Sequence, residues 1–206
     1  MNTEEIQDAL NWVRQETDLN TKALLLSGLV SELFRQQGFE PVVVGGSAIE
    51  FYTDGAYMSG DTDICWTGIR TPKREECAAV MAQIPGAKPH GGKSWQIENL
   101  WIDLLGEINY LAEKELAKIQ TPVGFVVLIP IEDLLVGRVY AARKWTGYNE
   151  EDDDCAKKLM TSVLSQSVAF DWDEALKIAN SPKYRCEAEL LAVRKEVEQE
   201  LAKPQD

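Results

Sequence analysis

The 206-residue chain lacks the residue patterns that build zinc sites and disulfide frameworks. Its four cysteines are widely spaced and form no Cys-x-x-Cys pair, and His90 is the one histidine in the sequence. A structural zinc site needs about four such ligands at short spacings, so we expect none here. Reduced, partly buried cysteines in a cytoplasmic protein are the expectation instead.

Long apolar runs and an excess of positive charge are also missing. No stretch reaches the eighteen apolar residues that predict a membrane span, and the acidic N-terminus does not resemble a secretion signal. With 34 acidic and 21 basic residues the formal net charge is −13, which repels nucleic acid and anionic lipid on average. We expect a cytoplasmic protein without membrane contact. A cationic small molecule suits this charge better than a polyanion, although bound divalent cations could still accommodate one.

The periodicity of apolar residues predicts an α+β fold with a helical C-terminal part. Helices are expected at 4–16, 21–37, 48–52 and 72–84, strands at 41–46, 62–66 and 124–130, and a bent strand or hairpin at 93–108. Residues 85–92 are predicted to form a loop. Every later element reads as a helix, near 131–146, 152–165, 171–180 and 184–202. This order predicts a core over 1–129 with a mixed sheet and flanking helices, followed by a helical subdomain over 130–206.

Two aspartates with one residue between them lie at the start of the second predicted strand, Asp61 directly before it and Asp63 within it. Asp61 and Asp63 point to the same face, about 7 Å apart, while Thr62 points to the other. Two partly desolvated carboxylates on one face share either a proton or a cation. Mg²⁺ is the usual cation for oxygen ligands that also meet a phosphate, so the pair predicts a Mg²⁺ site, with Mn²⁺ as the alternative ion.

Small residues end the first predicted strand. Gly45, Gly46 and Ser47 come where the chain leaves the strand and enters a helix. Exposed backbone N–H groups and the positive end of a helix together suit a phosphate. The Ser47 hydroxyl could cap that helix or contact the same anion.

Asp103 is a third carboxylate, flanked by apolar residues in a predicted strand. A buried aspartate needs a partner, and pairing with Lys93 or Arg70 is one solution. If its strand neighbours that of Asp61 and Asp63, the three carboxylates converge instead. Asp103 would then complete a metal shell and accept the proton of an attacking hydroxyl. Lys93, close to this strand, is predicted to contact a phosphate.

Taken together, these motifs resemble the signature of the nucleotidyltransferase superfamily that includes DNA polymerase beta. The resemblance covers about residues 39–160, and its gap from Ser47 to Asp61 holds thirteen residues. The segment VVVGGSAIEFYTDGAYMSGDTDI looks like bacterial nucleotidyltransferases with a GGSA-type motif, some of which are toxins of toxin–antitoxin or phage-defence systems. The resemblance implies that Gly46 and Ser47 bind the triphosphate, that Asp61 and Asp63 bind the metal, and that Asp103 is the third carboxylate. Thr62 departs from the pattern, where an apolar residue is commoner.

The resulting hypothesis is a nucleotidyltransferase of the EC 2.7.7 type, which moves a nucleoside monophosphate from an NTP such as ATP to an acceptor hydroxyl and releases pyrophosphate. The charge favours a small acceptor such as an aminoglycoside, whereas toxin-like relatives imply tRNA or a protein and an antitoxin partner. One alternative is a catalytically inactive nucleotide- or partner-binding protein of a toxin–antitoxin system. Another is a glycosidase, which two acids this close on one strand do not favour.

Other charged and aromatic features are interpreted as structural. The acidic run at 150–154 complements the dipole of a helix N-terminus, and His90 is expected to be a solvated loop residue. Arg138 and Lys144 are expected to be surface charges, with a phosphate contact as the alternative. The six tryptophans are expected to line the core or a groove, and stacking of a base on one of them stays unassigned.

Overall fold

The computed structural model describes residues 1–203, which contain seven short strands between N-terminal and C-terminal helices. The strands are β1 (Pro41–Val44), β2 (Thr62–Trp66), β3 (Lys88–His90), β4 (Ser94–Ile97), β5 (Leu100–Glu107), β6 (Ala117–Thr121) and β7 (Gly124–Leu128). The α-helices are α1 (Thr3–Gln15), α2 (Leu19–Arg35), α3 (Gly45–Tyr52), α4 (Arg74–Met81), α5 (Ile131–Tyr140), α6 (Glu150–Leu164), α7 (Trp172–Asn180) and α8 (Glu187–Leu201). A π-helical turn, Ala141–Trp145, continues α5. No helix within residues 1–203 is long and apolar enough to cross a membrane.

One mixed sheet organises the strands, in the order β3-β4-β5-β2-β1-β7-β6. The pairs β2/β5 and β1/β7 are parallel, and the other neighbouring pairs are antiparallel. The predicted α+β class is therefore confirmed, and the sheet is mixed, as the short connections indicated.

Two strands differ from the sequence interpretation. The loop prediction for 85–92 was wrong at Lys88–His90, because these residues pair with Ser94–Gln96 and so form the edge strand β3. The strand β6 was not predicted at all, and it pairs with β7 in a hairpin. The segment 93–108 is a hairpin rather than one bent strand, since Glu98 and Asn99 both have positive φ, at 49° and 65°. Two successive residues of this kind match the tight turns that favour hairpins.

The helix boundaries also shift in places. The predicted helix at 72–84 begins only at Arg74, after Pro72, with the Lys73 N–H bonded to the Glu76 side chain at 2.8 Å. The predicted helix at 131–146 is α5 followed by the π-helical turn. The helix predicted to begin after Ser47 begins at Gly45, so all three small residues belong to α3.

The chain forms two compact units. The first comprises 1–51, 58–109 and 116–129, and the second comprises 52–57, 110–115 and 130–206. In the first unit α2 contacts β1 and β7, and the rings of Phe34 and Trp66 pack at a centroid distance of 4.7 Å. The even-numbered side chains of β2 are buried on the side of this apolar layer. Since side chains alternate along a strand, Asp61 and Asp63 lie on the opposite face.

The second unit is built from α5 to α8 together with its two short segments. The buried carboxylate of Asp133 accepts the N–H groups of Leu111 and Ala112, at 2.7 and 2.8 Å. A second buried acid, Asp153, lies 2.5 Å from Arg143, which also binds Glu196 through two nitrogens. The acidic run at 150–154 therefore does more than face a helix dipole, because one of its members is buried in an ionic network.

Candidate functional site

The parallel pairing of β2 and β5 brings the three predicted carboxylates together. Asp63 is the register partner of Asp103, and Asp61 precedes β2 on the same side. One carboxylate oxygen from each residue lies within 4.8 Å of the other two. Asp61 is exposed, while Asp63 and Asp103 are half-buried. The sequence analysis expected the three carboxylates to converge if their two strands were neighbours. The strands are neighbours, and the carboxylates lie together.

The start of α3 lies directly against this cluster. Gly45 has φ of +65°, and a Cβ built there would overlap the Asp63 carboxylate. Ser47 is buried, and its hydroxyl donates to the Val44 carbonyl at 3.1 Å and accepts the Asp63 N–H at 3.3 Å. Gly45 thus leaves room for the Asp63 carboxylate, and the Ser47 hydroxyl links the first turn of α3 to β2 by a hydrogen bond. The N-terminal N–H groups of α3 remain the expected phosphate donors at this end of the cluster.

A buried glutamate on α3 holds the segment that leads to Asp61. Glu50 accepts the Ser59 N–H at 2.8 Å, and the Ser59 hydroxyl lies 3.4 Å from an Asp61 oxygen. Burial raises the pKa of the Glu50 carboxyl, and the hydrogen bond from Ser59 offsets this only in part. The helix that begins at the candidate phosphate end therefore also positions the most exposed carboxylate.

On the other side of the cluster, an open cavity of about 400 Å³ is lined by Gly60, Asp61, His90, Ser94, Trp101 and Asp103. The registers Ser94 to Asp103, His90 to Ser94 and Gln96 to Trp101 place these side chains on one face of β3, β4 and β5. The rings of His90 and Trp101 meet edge to face at 5.1 Å. His90 is exposed, as predicted, but it lies at the rim of this cavity rather than in a free loop.

Lys93 does not line the cavity beside the carboxylates. It precedes Ser94, which shares the face of Asp103, and it lines a separate cavity of about 310 Å³ with Cys77, Trp95 and Leu104. Its predicted phosphate contact gains no support from this position.

The other candidate cations are paired elsewhere. Arg70 pairs with Glu76 and stacks on Phe39, so it does not neutralise Asp103. In the second unit the half-buried Arg138 pairs with Asp152 at 2.8 Å, and the exposed Lys144 pairs with Glu189 at 3.4 Å.

The donor set fits a hard divalent cation. Three carboxylate oxygens, without nitrogen or sulfur, are the ligands that Mg²⁺ and Mn²⁺ prefer. In an octahedral Mg²⁺ site adjacent oxygens lie about 3 Å apart and opposite oxygens about 4.2 Å apart, so the three carboxylates, whose oxygens lie within 4.8 Å of one another, would draw together on binding one ion.

No protein-family model matches the sequence, and no curated protein matches it. Among solved structures, the chain is similar to a crystal structure of ANT(2″)-Ia in complex with adenylyl-2″-tobramycin. The identity is 14% and the TM-score 0.43, over 86% of this chain and 99% of that chain. A solution structure of the antibiotic-resistance factor ANT(2″)-Ia matches with 14% identity and a TM-score of 0.41, over 86% and 93%. With TM-scores below 0.5, these likenesses carry no argument about the activity of this chain.

Sequence reasoning missed several parts of the site, among them Ser94, Trp101 and Glu50. Trp101 stands two residues before Asp103, and this spacing alone could have placed it on the same face of the strand. Glu50 carries no comparable signal, since a lone acid in a short helix is usually solvent-exposed.

Proposed function

We propose that the protein is a metal-dependent nucleotidyltransferase that transfers a nucleoside monophosphate from an NTP to an acceptor hydroxyl and releases pyrophosphate. The observation that carries the proposal is the cluster of Asp61, Asp63 and Asp103 beside the first turn of α3. A helix N-terminus suits the β- and γ-phosphates, and a carboxylate cluster suits the cation that accompanies them.

Each element has a distinct role in this proposal. The N–H groups at the start of α3 bind the triphosphate. Because Gly45 has no side chain, the start of α3 can lie close to the Asp63 carboxylate. Asp61, Asp63 and Asp103 hold Mg²⁺, which neutralises negative charge on the phosphates when bound. Asp103, which borders the open cavity, accepts the proton of the incoming hydroxyl. Holding the two reactants in line supplies the rest of the rate enhancement.

The test is a transfer assay with each of the four NTPs, labelled in the α-phosphate, together with Mg²⁺ and a cell extract. We expect label to enter the RNA, protein or dialysable fraction, with one pyrophosphate released per label transferred. Asp63→Asn and Asp103→Asn should lower the rate by at least about a hundredfold. Asp154→Asn is the matched control, because Asp154 is exposed and pairs only with Lys158 among the described ion pairs.

Two outcomes would contradict the proposal in different ways. Mg²⁺-dependent stabilisation of the protein by an NTP without any transfer would favour the inactive, nucleotide-binding alternative. If the protein showed neither stabilisation by an NTP nor transfer, nucleotide binding itself would be contradicted.

A further inference from the structure

The cavity on the far side of the carboxylates is placed where an acceptor must approach. Along the sheet, α3 follows β1 and lies against Asp63 on β2, so the candidate phosphate end is on the β1 side of the cluster. The cavity extends the other way, from Asp103 on β5 across β4 to His90 on β3. Its lining includes Asp61 and Asp103, but neither Asp63 nor any residue of α3.

Phosphoryl-type transfer requires the attacking oxygen and the leaving oxygen to lie roughly in line through the phosphorus. If the pyrophosphate leaves on the side of α3, the hydroxyl must come from the opposite side. That side is the cavity between Asp103 and the β3–β4 hairpin.

The lining chemistry restricts which acceptor fits. Two aromatic rings, His90 and Trp101, offer apolar, polarisable surface, and Ser94 offers a hydroxyl for hydrogen bonding. Among residues 1–203, no lysine or arginine lines the cavity. Lys88 lies on the same face two residues before His90, but it does not line the cavity. Carboxylates and aromatic faces attract cations and disfavour phosphate or carboxylate groups.

We propose that His90, Ser94 and Trp101 form the acceptor subsite, and that it takes a small hydroxylated ring compound that is neutral or cationic. This inference rests on the proposed nucleotidyltransfer. The acceptor packs a ring face on Trp101 and directs one hydroxyl at the carboxylates. The hydroxyl oxygen forms a bond to the α-phosphorus, and the bond from that phosphorus to the bridging oxygen breaks. Pyrophosphate leaves with the electron pair, and the proton passes to Asp103 and then to solvent.

The first experiment separates acceptor binding from NTP binding. The acceptor source is the dialysable fraction of a cell extract, titrated against wild-type protein with labelled NTP and Mg²⁺. We expect Trp101→Ala to need at least about tenfold more of this fraction for half-maximal transfer, and Trp101→Phe to restore most of the loss. Melting shifts with Mg²⁺ and a non-hydrolysable NTP should be unchanged in both variants. Trp12→Ala, a partly exposed tryptophan on α1 outside the cavity, is the matched control.

The second experiment tests the charge of the acceptor. The dialysable fraction is passed over an anion exchanger, and the flow-through and the retained material are assayed separately. We expect the flow-through, which holds neutral and cationic compounds, to accept the label. Label confined to the retained anions, to RNA or to protein would overturn the proposed acceptor class.

The outcomes distinguish this inference from the function on which it rests. If Trp101→Ala weakens the NTP-dependent melting shift, the cavity holds the nucleotide and the inference is wrong, whereas the transfer activity stands. If the acceptor titration is unchanged in Trp101→Ala, the inference is also wrong and the transfer activity again stands. Absence of transfer in the wild-type protein overturns both proposals together.

Discussion

The Asp63 carboxylate occupies the volume that a side chain at Gly45 would fill. A residue at the beginning of a helix and a residue on the neighbouring strand therefore constrain each other sterically. Since Asp63 is also the register partner of Asp103, this contact fixes one end of the whole carboxylate cluster.

Gly45→Ala should abolish nucleotide transfer, because the new methyl group displaces the Asp63 carboxylate. The substitution also imposes about 1 kcal/mol of backbone strain, since φ is +65° at this position. Gly38→Ala separates the two effects. Gly38 has a similar φ of +80° but no atom within 4 Å of the added Cβ. We expect both variants to lose similar stability on denaturant unfolding, and only Gly45→Ala to lose transfer. Similar transfer rates in the two variants would show that Gly45 does not set the position of Asp63.

Asp103→Asn should stabilise the metal-free protein while removing its response to metal. Three carboxylate oxygens within 4.8 Å repel one another, and neutralising one group relieves about 1 kcal/mol at a partly solvated site. With EDTA present, the variant should therefore melt above the wild-type protein. On addition of Mg²⁺ and NTP, the wild-type melting temperature should rise and that of the variant should not. A variant that is less stable in EDTA would indicate that Asp103 serves the fold rather than the cation.

The stability of Glu50→Gln relative to the wild-type protein should increase as pH rises. Burial raises the pKa of the Glu50 carboxyl, so the folded state binds this proton more tightly than the unfolded state. The associated stability is fully present below the unfolded pKa and is lost as pH rises through the folded pKa. Glutamine keeps an oxygen for the Ser59 N–H and has no charge to desolvate. Unfolding free energies at about pH 4.5 and about pH 7.5 should show the difference between variant and wild type shifting towards the variant. A difference independent of pH would contradict the buried carboxylate as its source.

The neighbours Asp153 and Asp154 on α6 should respond very differently to the same substitution. Burial opposes the charged form of Asp153, but hydrogen bonds from Arg143 and Lys157 outweigh it and lower the pKa of this carboxyl. Asp153→Asn leaves Arg143 short of a charged partner in a half-buried setting and should cost about 2 to 3 kcal/mol. Asp154→Asn breaks only an exposed pair with Lys158 and should cost less than about 0.5 kcal/mol.

The pH dependence of this network has the opposite sign to that of Glu50. Because the pKa of Asp153 is lowered, its stabilisation is present above the unfolded pKa and is lost as pH falls through the folded pKa. The gap between wild type and Asp153→Asn, measured by denaturant unfolding, should therefore close on acidification. Equal costs for Asp153→Asn and Asp154→Asn at neutral pH would refute the buried network.

The sequence predicts the parts of the site that depend on local patterns. Alternation places Asp61 and Asp63 on one face, and a charge between apolar residues marks Asp103 as unusual. Their convergence depends on β2 and β5 being neighbours in the sheet. The chain between them forms α4 and the β3–β4 hairpin, and no local pattern fixes the strand order that results.

Features that depend on pairing or on distant partners were beyond sequence reasoning. The strand β3 contains a proline between turns and has exposed side chains, so only its pairing with β4 identifies it. Within the run at 150–154, nothing local separates Asp153 from its acidic neighbours. Its burial follows from Arg143 and Glu196, which lie ten and forty-three positions away in the sequence.

The composition of the two units implies an order of synthesis and folding. Every residue of the first unit has been translated once the chain reaches residue 129, whereas the second unit needs 130–206 to join two segments made earlier. Residues 52–57 and 110–115 therefore cannot pack into their unit until the later residues are made. The N–H groups of Leu111 and Ala112 have no Asp133 carboxylate to bind until that part of the chain emerges from the ribosome. A nascent chain would pass through a stage in which the sheet is complete while these two loops still lack their partners, and stalling the ribosome when residue 129 has left the exit tunnel would capture that stage.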